Sequence, residues 1–310
     1  LKMSFHIVTI PSNECSLTCS RGRLICSQSN STEPKSVPLE DVAAIVITSF
    51  SAKLHSNLLV ESAKNGIALV ICEHFSPISV LLPANRSSDT LLTKAELVLD
   101  KKKRNGLWRK TVDAKCKNQY SLVSRLAPQF ERLDRLKTEA FGKSQHKEST
   151  CAQYYWRAWA TAIEDPDFKR HSPEHSANIL LNYGYAVLLS TVLQSMFACG
   201  LDPTFGISHV VRERSTPLAY DLMEPFRPCV DWRVAQWLID HPKETEGLGM
   251  SKEFKHWVTG FVLEKVGYFE LEVTIQHCIR SVIRSFRKAV LESSVREYKP
   301  WTPKNLKWAG

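Results

Sequence analysis

Between Gly206 and Pro228 the chain reads GISHVVRERSTPLAYDLMEPFRP, which places one imidazole, His209, close in sequence to two carboxylates, Asp221 and Glu224. Oxygen donors with a single nitrogen suit a hard or borderline divalent ion such as Mg²⁺ or Mn²⁺, whereas a structural zinc site recruits thiolates. Asp221 and Glu224 are three apart, so on a helix they share a face. A plainer reading stands beside this one: Asp221 as a helix cap, Glu224 as a solvated charge, His209 as a structural histidine. A third ligand from elsewhere in the chain decides for the metal.

Glu148 heads the aromatic segment STCAQYYWRAWATAI, where a carboxylate also complements the start of a helix. His171-Ser172-Pro173-Glu174-His175 has the letters of a zinc-peptidase HxxEH motif, but that chemistry needs both histidines on one continuous helix. Pro173 belongs at a helix start and leaves His171 outside it. Arg280, Arg284, Arg287 and Lys288 recur at helical spacing and predict a basic stripe able to meet phosphates, unless it is only a solvated face.

The elements that must position these residues fall into two parts. The chain has 310 residues, enough for about two domains, and a formal net charge of +9. Residues 1–100 carry 8 Lys+Arg against 9 Asp+Glu, and the remainder 33 against 23, so the basic excess lies wholly in the second part. That favours a polyanionic partner such as nucleic acid. Nine scattered cysteines without a CxxC pair predict reduced thiols in a cytosol, and neither a membrane span nor a signal segment is evident.

The predicted fold class is α+β: a small β-sandwich-like domain over 1–100, a basic linker over 101–106, and a larger all-α domain over 107–310. Apolar β-branched runs at Phe5–Ile10, Leu17–Cys26, Val42–Ile47, Ile67–Cys72 and Ile78–Leu82 predict strands, with a covering helix capped by Ser51. Trp108, Val112, Cys116, Tyr120 and Val123 then follow helical spacing, and Ala177–Cys199 is apolar nearly all round, as a central buried helix would be. Further helices are predicted over Ser251–Val266 and Tyr268–Ser294, and the tail Arg296–Gly310 is expected to dock on the domain or a partner.

Several segments together resemble the metal-dependent integrase nuclease of CRISPR spacer acquisition. GISH is similar to that family's Gly-x-x-His element, and LAYDLMEPFRP to its Asp-x-x-(Asp/Glu)-x-Phe-Arg-Pro element. LNYGYAVL at Leu181–Leu188, LWRKTVDAKCKNQ at Leu107–Gln119 and Glu148 before YYW are equally similar, in matching order. The versions LNYGYAVL and DLMEPFRP look most like the branch that accompanies single-protein effectors. Val210–Arg214 and the QHK run before Glu148 depart from the family's usual residues. The resemblance implies metal ligands at Glu148, His209 and Glu224, with Asp221 as an adjacent acid that orients a ligand, takes a second ion or serves as base. It implies 3′-hydroxyl attack on a backbone phosphate, Mg²⁺ or Mn²⁺, double-stranded and branched DNA, a homodimer, a small dimeric companion protein and a prokaryotic cytoplasm. A general metal-dependent nuclease and a non-catalytic DNA-binding subunit are the alternatives.

Overall fold

The computed structural model describes residues 6–10, 14–28, 33–49, 51–73, 76–81, 90–170, 172, 175–209, 216–242 and 250–303. The β-branched runs of the N-terminal part form two four-stranded sheets. In the first, β1 (His6–Ile10), β5 (Val42–Ile47) and β7 (Ala68–Glu73) are parallel and β8 (Ser76–Leu81) is antiparallel to β7. In the second the order is β4 (Lys35–Pro38), β3 (Arg23–Gln28), β2 (Cys15–Ser20) and β6 (Lys53–Leu54). The single run expected over Leu17–Cys26 is therefore a hairpin, turned at Arg21 and Gly22, whose φ values of 49° and 69° match the strand twist. Helix α1 (Ser56–Lys64) begins after His55, not at Ser51, because Lys53 and Leu54 are drawn into β6.

Alternation along the parallel strands divides their side chains between two cores. Ile45, Ile47 and Leu69 pack with Leu17 and Leu24 of the second sheet and Leu58 of α1. Val46, Val70 and Cys72 point the other way and join the core of the helical part, where α6 (Ser176–Ala198) crosses the sheet. By length and composition α6 could cross a membrane, but 83% of its apolar window is buried inside the protein. Its Gly184 fits because a Cβ would lie 2.4 Å from Val230.

After α2 (Thr90–Leu97), residues 101–106 are the first turns of α3 (Lys101–Leu126), not a linker. The Asp100 carboxylate caps that helix by accepting from the Lys103 amide at 2.8 Å. Pro128 biases its predecessor away from helix, and α3 stops at Leu126. Helices α4 (Leu133–Phe141), α5 (Lys147–Ala162), α7 (Pro217–Met223) and α8 (Arg227–Asp240) follow around α6. The C-terminal part is not all-α. The helix expected over Ser251–Val266 is α9 (Lys252–Thr259) plus one 3₁₀ turn, and a hairpin of β9 (Lys265–Tyr268) and β10 (Leu271–Thr274) precedes α10 (Ile275–Leu291).

The tail docks as far as the structure describes it. Tyr298 and Trp301 are fully buried, each worth about 3 kcal/mol by area. Trp301 stacks on Phe226 at 5.6 Å, and Lys110 on α3 donates to the carbonyls of Val295 and Tyr298. Trp308 lies outside the described residues.

Candidate active site

Three separated stretches deliver charged side chains to one place. On α3, Lys115 lies on the buried face with Thr111, Asn118 and Leu122. Glu148 sits in the first turn of α5, whose start is fixed by Lys147: its ammonium lies 2.5 Å from Asp113 of α3 and donates to the Gly142 carbonyl. Glu224 follows α7 directly, in a 3₁₀ turn whose Pro225 carbonyl accepts from Asn118 at 2.7 Å. Arg227 opens α8.

The Lys115 ammonium lies 2.8 Å from Glu148 Oε1 and 2.7 Å from Glu224 Oε2. Arg227 donates to the other Glu224 oxygen at 2.8 Å. Burial alone would raise the pKa of Glu224, but Arg227 and Lys115 outweigh it and hold the carboxyl down at about 2. Burial likewise works against the charge of Lys115, and Glu224 and Glu148 overcome it, raising its pKa. Oε2 of Glu224 is buried and its nearest cation is the Lys115 ammonium, while Arg227 holds the other oxygen.

His209 is held differently. Asp221 is wholly buried and accepts from the backbone amides of Ile207, Ser208 and His209 at 2.7, 3.1 and 3.1 Å. Its Oδ1 also lies 2.7 Å from His209 Nδ1. An ionised carboxylate only accepts, so Nδ1 carries the proton and Nε2 is the ring nitrogen suited to a metal. The turn closes tightly enough that a Cβ on Gly206 would lie 2.3 Å from the His209 carbonyl oxygen, which is why GISH begins with glycine. Trp108 stands edge-on to the imidazole at 5.9 Å.

The structure thus brings Glu148 and Glu224 onto one cation and pairs Asp221 with His209. Among the described residues no three His, Cys, Asp or Glu side chains close into a ready metal cluster. Two carboxylate oxygens converging on a positive charge still fit a divalent ion in kind. Glu148 also lines an open cavity of about 760 Å³ with Trp108, Arg109, Lys143 and Arg296.

Sequence reasoning passes over Lys115 and Arg227, although a lysine on the buried face of a long helix is itself a signal. It also passes over Asp231 on α8, which accepts from Tyr155 at 2.5 Å and from Tyr185. The Arg227 guanidinium lies 4.2 Å from the Tyr185 ring centre, so this cluster backs the arginine that holds Glu224. Burial raises the Asp231 pKa from 3.8 to about 6 against the two tyrosine bonds. Between about pH 4 and 6 the folded protein keeps a proton that the unfolded chain has lost, so this group makes stability fall as pH rises. Asp231→Asn removes that dependence. The difference in urea unfolding free energy, variant minus parent, should rise by about 2 kcal/mol from pH 4 to pH 7; a difference independent of pH would contradict the assignment.

Arg280, Arg284 and Arg287 share one face of α10, and all three act on the Cys199 thiol, which burial shifts up and they draw down. Lys288, one turn after Arg284, is exposed beside it and pairs with Glu297 at 2.6 Å. Of the HxxEH string, His171, Pro173 and Glu174 lie outside the described residues, as does Val210–Arg214; His175 precedes α6 and pairs with Asp165 at 3.1 Å. All nine cysteines are free thiols.

Comparison with known proteins bears on the family and the fold. The family description "CRISPR associated protein Cas1" matches residues 8–247. The CRISPR-associated endonuclease Cas1 of Korarchaeum cryptofilum is 31% identical over 259 residues, covering 72% of this chain and 75% of that protein. Among solved structures, a casposase bound to integration product superposes with a TM-score of 0.74 at 21% identity, covering 97% of this chain and 96% of that one. A Cas6-RT-Cas1–Cas2 complex gives 0.70 at 15% identity, over 97% of this chain and 36% of the longer one. The two structures share the fold.

Proposed function

This chain belongs to the Cas1 family of CRISPR-associated proteins, and from that premise we propose that it is a divalent-metal-dependent DNA endonuclease and integrase that joins short DNA fragments into a CRISPR array. The observation that carries the reading is the convergence of Glu148 and Glu224 on a single cation, with His209 oriented by Asp221.

Glu148, Glu224 and His209 through Nε2 would hold Mg²⁺ or Mn²⁺, which when bound polarises a phosphate and eases deprotonation of a hydroxyl. The protein's own task is positioning. Arg109, Lys143 and Arg296 around the cavity would seat a DNA strand end by its phosphates, beside Glu148. Strand transfer forms a bond from the incoming 3′-oxygen to phosphorus and breaks the resident phosphorus–3′-oxygen bond; the proton of the incoming hydroxyl ends on the departing oxygen through solvent. The number of phosphodiesters is unchanged, so no covalent intermediate on the protein and no nucleotide hydrolysis is needed. Asp221, whose two oxygens are both engaged, serves as a positioning residue for His209.

The assembly read for this activity is a homodimer arranged around a small dimeric companion protein, acting on double-stranded and branched DNA in a prokaryotic cytoplasm. The likeness to a Cas1–Cas2 complex supports the companion, and the likeness to a casposase bound to integration product supports strand joining. The deciding experiment incubates end-labelled branched DNA with the protein and Mn²⁺, with and without companion. Joined strands longer than the labelled input support integration; shorter fragments alone would leave a general nuclease.

Arg280, Arg284, Arg287 and Lys288 are proposed as phosphate contacts, with Lys288 exchanging its Glu297 pairing for a phosphate. Charge reversal at Arg280 and Arg284 should flatten the slope of log affinity against log salt by about 2. An unchanged slope in a DNA-binding titration would remove α10 from the interface.

A further inference from the structure

We infer that Lys115 is a resident counter-cation of the metal site: it holds the two glutamates together before metal arrives, and must be displaced for metal to bind. The inference rests on the ligand assignment proposed above. Lys115 Nζ is within 2.8 Å of one oxygen from each of Glu148 and Glu224, the same pair that would ligate. A divalent ion held by these two carboxylates would compete with the ammonium for the space between them. Two cations cannot share that space, so occupancy by one excludes the other.

The surroundings explain both halves of the role. Glu224 is 3% exposed, and Lys115 sets a positive charge between its Oε2 and the Glu148 carboxylate while Arg227 holds its other oxygen. Lys115 therefore keeps the ligands converged in the metal-free protein. Its ammonium ends a flexible four-carbon stem, and its partner Glu148 lines the cavity of about 760 Å³, the side toward which the ammonium would move. A DNA phosphate seated there would offer it a new partner. Metal and DNA then favour each other's binding, because each helps move the same lysine.

Displacement lowers the apparent metal affinity by the fraction of time the site is open. Calorimetric titration of the DNA-free protein with Mn²⁺ should therefore show Lys115→Met binding at least about tenfold more tightly than the parent, with Glu148→Gln binding weakly or not at all. Equal affinity in the parent and Lys115→Met, with binding lost in Glu148→Gln, overturns the role of Lys115 and leaves the metal site standing. Binding that ignores Glu148→Gln overturns both. Should Lys115→Met fail to fold, acetylation of the parent by a water-soluble reagent reads the same event by mass spectrometry. Lys115 is expected to be protected without Mn²⁺ and labelled with it; the same labelling in both conditions overturns the proposal.

Discussion

Glu148→Ala is expected to reduce Mn²⁺-dependent strand joining at least about a thousandfold, some 4 kcal/mol of transition-state stabilisation, while leaving the fold intact. The two effects separate because of where Glu148 sits. Its side chain is 40% exposed at the first turn of α5, and its ion-pair partner Lys115 retains Glu224. Loss of the carboxylate should therefore shift stability by less than about 1 kcal/mol.

Glu224→Ala should lose the same joining activity and, in addition, about 3–5 kcal/mol of stability. It leaves the partly buried Arg227 and Lys115 without the carboxylate they share. That contribution is complete at neutral pH, since a carboxyl held at about 2 loses its stabilising charge only as pH falls from about 4.5 toward 2. Parallel measurement of joining and of urea unfolding checks both variants. Joining within tenfold of the parent in Glu148→Ala would remove it from the metal site.

The contrast between these carboxylates also shows what is legible without coordinates. His209, Glu224 and Glu148 stand in segments whose residue order is characteristic, so each is visible as a candidate. Lys115 is not, because the helical spacing that reveals α3 singles out Val112 and Cys116 and passes over the charge between them. Its importance exists only once α5 and the turn after α7 approach α3, a long-range fact that no window on one helix contains. Arg227 is hidden for the same reason, as part of a motif whose acid carries the obvious chemistry.

The fold behaves similarly. Continuous apolar β-branched runs at Val42–Ile47 and Ile67–Cys72 announce strands buried on both faces, but which alternate side chains face α6 and which the second sheet depends on tertiary packing. The run Lys101–Arg104 resembles a linker because apolar periodicity begins only at Leu107; the signal against it is Asp100, a capping carboxylate three residues before the Lys103 amide it accepts from. The four-residue strands Lys265–Tyr268 and Leu271–Thr274 are too short to set a period of their own, and Leu271 falls in step with the apolar face of the helix that starts at Ile275. Thr274, which accepts from the His277 amide, marks the true start.

Asp221→Asn is expected to lower joining by about 10–100-fold through His209 and to cost about 2–4 kcal/mol of stability, although it changes one atom. The carboxylate accepts four hydrogen bonds at zero exposure, two on each oxygen. An amide turns one of those acceptors into a donor. If the NH₂ faces the Ile207 and Ser208 amides, two donors oppose a donor and the turn opens. If it faces His209, it donates to Nδ1, the ring proton moves to Nε2, and the nitrogen meant for metal can no longer ligate. Either arrangement damages the site through the histidine, so the effects of Asp221→Asn and His209→Ala should not add. The double variant is expected to join strands about as poorly as His209→Ala alone, a non-additivity that a thermodynamic cycle on joining rates measures directly. Full additivity would mean that Asp221 acts on the reaction independently, as a base or as a ligand in its own right.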